Sequence, residues 1–206
     1  RNNANKNSRH QGIHRFYLEE DSKVKYIEKH YGEGHGSGHK VLDPITELYL
    51  GKNSTMDMDT VQIKGVDSTV RMTKAVLEEK ATLTISEKIM TSKEQYAKTE
   101  FEVDLKGKDS SAHVTSRSVA TEHSHQLFIS RLNGYNQCYG HVECDAILKD
   151  EGTVQAIPEV NAQHIDARLI HEATIGKIAG EQLTKLMTLG LTEAQAEEQI
   201  INGFLK

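Results

Sequence analysis

Between Ile45 and Ile178, apolar residues fall at every second position in a series of short runs. These are ITELYLG, TVQIKG, TVRMTKAVL, ATLTISEKIM, TEFEVDLKG, AHVTSRSVA, HQLFISRL, HVECDAIL and TVQAIPEV. A period of two sends alternate side chains to opposite faces and predicts strands. Short polar stretches such as GKNS, GVDS, EEK, GKDS, NGYN and KDEG separate the runs. No helical pattern intervenes to supply crossovers, and few links have the Asn-Gly or Asp-Gly form of a two-residue hairpin. A dense, evenly spaced series of this kind fits a sandwich, a barrel or a β-solenoid. The chain has no tryptophan and is rich in Ile, Val and Leu, so stacked aliphatic ladders favour the solenoid. Upstream, IHRFYLEE and KVKYIEKHY read as two more strands. The opening dozen residues, RNNANKNSRHQG, are polar and read as a loose terminus.

After Ile178 the period becomes helical. Leu183, Leu186 and Met187 share one face of AGEQLTKLMTLG, and Gly190 supplies a stop. A capping box from Thr192 to Gln195 opens a second helix, in which Ala196, Ile200 and Phe204 recur four residues apart. The expected organisation is a partly loose N-terminal segment over residues 1–44, a β-body over residues 45–178 and a helical hairpin over residues 179–206.

Bulk properties narrow the function. A chain of 206 residues with net charge −5 makes one large domain or one domain with an appendage. It carries no electrostatic footprint for nucleic acid. No apolar run approaches the roughly 18 residues of a membrane span, and no secretory leader is evident. Cys138 and Cys144 form no disulfide framework: on one strand they would lie about 20 Å apart, beyond bonding reach. Free thiols suggest a cytoplasmic protein.

Several stretches invite a chemical reading. His171-Glu172 resembles the start of a zinc-protease helix, but that motif needs a second histidine where Ile175 stands. The surrounding pattern also has strand period: Ala167, Leu169, His171, Ala173 and Ile175 share one face. Val142, Cys144, Ala146 and Leu148 likewise share a face opposite His141, Glu143 and Asp145. On pattern alone, Cys144 is a small buried residue and His171 a satisfied core histidine. The stretch GEGHGSGHK, Gly32 to Lys40, fails as a phosphate loop because His39 separates Gly38 from Lys40. His30, His35 and His39 read as loop residues rather than a metal site. His123 and His125 have chelating spacing, but they share a strand face with Leu127 and Ile129 and read as part of a half-buried ladder. Cys138, beside a turn, reads as a spare thiol.

Taken in order, the motifs SRSVATEHSHQLFISRL, GHVECDAIL, AIPEV, LIHEATIGKI and EQLTKLMTLGLTEAQAEEQIINGF closely resemble the SufB/SufD family of iron–sulfur cluster assembly scaffolds, in a compact form. The resemblance runs from about Ile45 to the C-terminus. It implies a mainly β chain: a flattened right-handed parallel β-helix with a C-terminal helical hairpin. It also implies pairing through the β-helix, either as a homodimer or with a SufB/SufD-type sister subunit. An ABC-type ATPase, SufC, would dock on the helical region that contains Leu183, Leu186, Met187, Ile200 and Phe204. Sulfur donors and acceptor apoproteins are further implied partners, and the chain itself would be a scaffold rather than an enzyme.

By the same resemblance, Cys144 matches the cysteine that receives sulfur and holds a nascent cluster in B-type members. His171 matches a histidine at the pair interface, and Glu172 a B-type carboxylate. Ile170 departs from the glutamate that some B-type members carry. Cys144 and Glu172 together make the chain more B-like than D-like. The implied cofactor is a transient iron–sulfur cluster; flavin binding stays open. Thiolate is the preferred ligand of such iron, and histidine can replace it on one iron. A symmetric pair would supply two copies of Cys144, with His171 or Glu172 completing a shell loose enough to release its product. The alternative is a metal-dependent or carbohydrate-active β-helix enzyme, which the scarcity of aromatics and the lack of a clear acidic pair disfavour. A third reading is an interaction module that uses the terminal helices alone.

Overall fold

The expected alternation is realised as parallel strands that wind into a β-solenoid. In this computed structural model the described residues are 7–31 and 38–206. The glycine-rich stretch from Gly32 to Ser37, with His35, lies outside them, as do the first six residues. The strands are β1 (Ser8–Leu18), β2 (Lys23–Tyr31), β3 (Lys40–Leu50), β4 (Thr55–Lys64), β5 (Ser68–Leu77), β6 (Thr82–Thr91), β7 (Tyr96–Leu105), β8 (Ser110–Ala120), β9 (His125–Gly134), β10 (Cys138–Leu148), β11 (Thr153–Ala162) and β12 (Ala167–Lys177). The odd strands stack into one six-stranded sheet and the even strands into another. Every neighbouring pair is parallel. Two strands and two turns therefore make one coil, and about six coils make the body.

In-register stacking places like on like. Leu18, Leu50, Leu77 and Leu105 form one continuous column at the ends of the odd strands. Met58, Ile85, Val114 and Val142 form another in the even sheet. All of these are buried. Val and Ile fit the pleated surface, and each column removes apolar area from water along the whole axis.

The turns stack as well. Asp21, Asn53 and Lys80 adopt left-handed φ of 61°, 56° and 56°. Their amides donate to Lys52, Glu79 and Lys108 carbonyls of the next coil at 3.0, 2.8 and 2.9 Å. Gly107 sits where a Cβ would meet Glu79 N at 1.9 Å, so only glycine allows the adjacent turn to approach.

Two sequence features look hostile to a sheet and are accommodated. Pro44 in β3 lacks a ladder N–H, and the pairing to β5 skips that position. The Asp43 carboxylate instead accepts from Val70 N at 3.0 Å. Residues 8–12, expected to be loose, pair with residues 40–44 in β1 and β3. The solenoid thus begins well ahead of Ile45.

Helix α1 (Gly180–Thr188) and helix α2 (Glu193–Phe204) follow. Gly190 closes α1 with φ of 95°, and the Thr192–Gln195 capping box is present in full. Ala196, Ile201 and Leu205 are buried. Ile201 and Leu205 pack with Val119, and Met90, Ile147, Ile178 and Phe204 close around them. The buried face of α2 therefore runs through Ile201 rather than Ile200. No described helix is long and apolar enough to cross a membrane.

Candidate functional site

Cys144 lies in β10 at a position where each coil contributes one inward side chain. Across the even sheet the register aligns Glu28, Thr60, Glu87, Ser116, Cys144 and Ala173. The expected strand phase holds: Val142, Cys144 and Ala146 point inward, and Cys144 is 1% exposed. Burial pushes its thiol up to about 12, and the nearby carboxylates of Glu87 and Asp145 add to the effect. The thiol is therefore protonated at neutral pH, and a metal that takes it as thiolate must displace the proton.

His171 also points inward, opposite Val142 on the neighbouring strand. Its Nδ1 lies 3.1 Å from Ser130 Oγ of the facing sheet. Its Nε2 is buried and has no hydrogen-bond partner among the described residues. Burial, reinforced by His141, holds the imidazole below its ordinary pKa. The ring is thus neutral near pH 7 with one nitrogen free, the form a metal takes. Cys144 and His171 are diagonal neighbours on the same face, a separation of about 7–8 Å in a sheet. Glu172 belongs to the opposite, outer face and is exposed. The fold therefore brings Cys144 and His171 to one side and sends Glu172 to the other.

The coil that carries His171 is one end of the solenoid; β1 and β2 form the other. Among the described residues β11 pairs only with β9, and β12 only with β10. Positions that point inward in earlier coils are uncovered here: Val160 is 48% exposed and Ile175 38%. Pro158 and Ala173 are exposed beside them.

Deeper in the body lies a group that the sequence reading missed. Arg71, 2% exposed, reaches Glu28 at 3.3 Å and lies 3.8 Å from Glu87. Glu87 also accepts from Thr99 at 3.2 Å and Ser116 at 3.1 Å. One cation serves two buried carboxylates, so only one is fully compensated. His30 and Arg71 hold Glu28 down at about 2 despite its burial. Burial outweighs Arg71 at Glu87 and lifts it to about 7. The signal was available: in TISEKIM, Glu87 shares its phase with Ile85 and Ile89.

Other candidates resolve differently from expectation. His123 lies in a turn, with Nδ1 2.8 Å from exposed Glu151. His125 points outward and stacks on Tyr96, because Gln126, Phe128, Ser130 and Leu132 take the inward phase of β9. The two histidines share no ladder. His30 pairs with Glu28. Cys138 and Cys144 are both free and buried. Among the docking candidates, Met187 is 44% exposed, while Leu183, Leu186, Ile200 and Phe204 are half-buried. Leu189, just past α1, is 76% exposed.

Comparison with known proteins assigns the chain to a family. The family profile described as SUF system FeS cluster assembly, SufBD core domain, matches residues 3–204, so the first coil is included. An iron–sulfur cluster assembly SufBD family protein of Pyrococcus horikoshii is 31% identical over 199 residues, 95% of this chain and 60% of the relative. One from Methanothermobacter thermautotrophicus is 28% identical over 95% of this chain and 48% of the relative. One from Methanocaldococcus jannaschii is 29% identical over 90% of this chain and 58% of the relative. The chain thus spans about half to three fifths of the length of these relatives. With the profile matched along almost the whole chain, this β-solenoid belongs to the SufBD core family.

Proposed function

We propose that this chain is a cytoplasmic, non-enzymatic scaffold on which iron–sulfur clusters are built at a subunit interface. An ABC-type ATPase of the SufC kind supplies the energy, a sulfur donor feeds the site and acceptor apoproteins drain it. The observation that carries the reading is the open last coil, which holds a neutral, unpartnered imidazole nitrogen on His171. Unpaired edges on β11 and β12 invite another sheet. The occupant is a second chain of the same family, either a copy, whose own open coil brings the same unpaired edges and apolar residues, or a sister subunit. An isologous contact duplicates each ligand, so two Cys144 and two His171 approach the ligand count of a cluster.

Cys144 is the thiolate in this scheme, His171 the imidazole, and Glu172 a carboxylate contributed from the outer face at the rim of the pair. Since the Cys144 thiol starts protonated, loading releases a proton. The covered position of Cys144 also means that the last coil must yield to admit iron. A site formed by displacing a proton and shifting a strand holds its cargo weakly, which suits transfer.

The apolar surface of α1 around Leu183, Leu186 and Met187, continued by Ile200 and Phe204, is the proposed ATPase contact. Exposed Met187 supports it, whereas Phe204 is shared with packing on the body.

Anaerobic reconstitution with iron and sulfide tests the site. Cys144→Ser is expected to remove most of the cluster absorbance, Cys138→Ser to retain it, and His171→Ala to weaken or alter it, all at equal folded content by circular dichroism. A full cluster on Cys144→Ser overturns the ligand assignment.

A further inference from the structure

On the outer face of the even sheet, a second group of ligand-bearing side chains stands apart from Cys144 and His171. His113 on β8 and His141 on β10 are direct cross-strand neighbours, their ring centroids 5.0 Å apart. Glu143, two residues along β10, faces the same way. Its Oε1 lies 3.9 Å from His113 Nε2 and 3.6 Å from His141 Nδ1. One ligand atom from each of the three residues falls within 4.8 Å of the others. Donors bound to one metal at about 2.0–2.1 Å sit about 3.3 Å from one another, so small side-chain rotations would close the set.

The surroundings match a metal site in two ways. First, His141 Nε2 is buried and lacks a hydrogen-bond partner among the described residues, yet lies 3.6 Å from Glu172 Oε2. A metal-bound histidine typically gives its other ring N–H to a carboxylate, which fixes the ring. Second, Glu143 and Glu172 are direct cross-strand neighbours. Like charges at that position destabilise a sheet, and a cation bound between the histidines and Glu143 would relieve the repulsion. Thr115 Oγ1, 3.1 Å from His113 Nε2, gives that nitrogen a partner that an incoming metal would replace.

We propose that His113, His141 and Glu143 form a binding site for one divalent first-row transition metal, with Glu172 orienting His141. Two imidazoles and one carboxylate with open positions are the donor set that suits ferrous iron. The bare binding site stands on this geometry alone. Its use as a holding point for ferrous iron ahead of cluster assembly rests on the function proposed above.

The test is titration of the metal-free full chain with Co2+, followed by visible absorption and calorimetry, and with Fe2+ anaerobically, all without sulfide. One equivalent per chain is expected. His113→Ala and Glu143→Gln each weaken binding about 100-fold or more, and Glu172→Gln by about 10-fold. His113 and Glu143 are partly exposed, and Glu143→Gln is isosteric, so folding survives in both. Absence of stoichiometric binding to the native chain, or unchanged binding in both ligand variants, overturns the site. Cluster reconstitution is measured separately. Metal binding that persists in a chain unable to form clusters would sink the assembly reading and leave this site standing. Cluster formation without metal binding would do the reverse.

Discussion

Glu87 shows how one residue couples the interior to pH. Its folded-state pKa, about 7, stands above its ordinary value because burial outweighs the help of Arg71. A raised carboxylate contributes stability below its unfolded pKa and loses that contribution as pH rises through the folded value. Relative to Glu87→Gln, the native chain is therefore expected to lose stability between about pH 5 and about pH 8, by at most about 1.4 kcal/mol per pH unit. Urea unfolding of both proteins at the two ends of that range checks it; a constant difference refutes it. Glu28 works the other way: held at about 2, its contribution is present above the unfolded carboxylate pKa and lost only in strong acid. The sequence made the phase of Cys144 and His171 legible, since both fall on apolar faces. The burial of Cys144 followed from that phase; the sequence did not reveal that His171, unlike Cys144, would lie in an uncovered coil with one ring nitrogen unpartnered among the described residues. That difference depends on which coil is last, a property of stacking rather than of any local pattern.

At the scale of elements, the stacked turns carry the fold. Gly107→Ala would drive a methyl into the backbone of Glu78 and Glu79 and is expected to cost at least about 2 kcal/mol. Lys80→Asn keeps the left-handed turn with a residue better suited to it, and is expected to gain a fraction of about 1 kcal/mol. Denaturant midpoints check both, and a shift of opposite sign in either one counts against the stacked-turn account. Alternation alone located the strands from β3 to β11: β3 to β10 each bury an every-second set, and β11 keeps the same phase without the burial. The start of β1 was hidden: Ser8, His10 and Gly12 sit at its inward phase, so no apolar alternation marks it, and pairing to β3 alone recruits it. In α2, the stop and cap signals were local and therefore readable. The buried face was set by contact with Val119, which shifted it from Ile200 to Ile201.

The whole molecule is a short stack, and its pairing should depend on the end formed by β11 and β12. Val160→Asp combined with Ile175→Asp puts charge on the open coil, at the exposed ends of the ladders that run through Leu132 and Ala146. Native mass measurement is expected to find a pair for the native chain and a monomer for the variant; a native chain that stays monomeric without a sister subunit refutes pairing with itself. The tail also matters mechanically. Helix α2 returns from the last coil to lie on Met90, Val119 and Ile147, which belong to three successive even strands, with Lys149 bonded to Glu197. A force applied at the C-terminus would load this strap before it loaded any strand. Under tension the chain should first give one rupture as α2 detaches. It should then lengthen in a train of steps of about 100 Å, each the unwinding of one coil of about 28 residues. The last coil, loosest by itself, is thus shielded from traction by a brace anchored on its more stable neighbours.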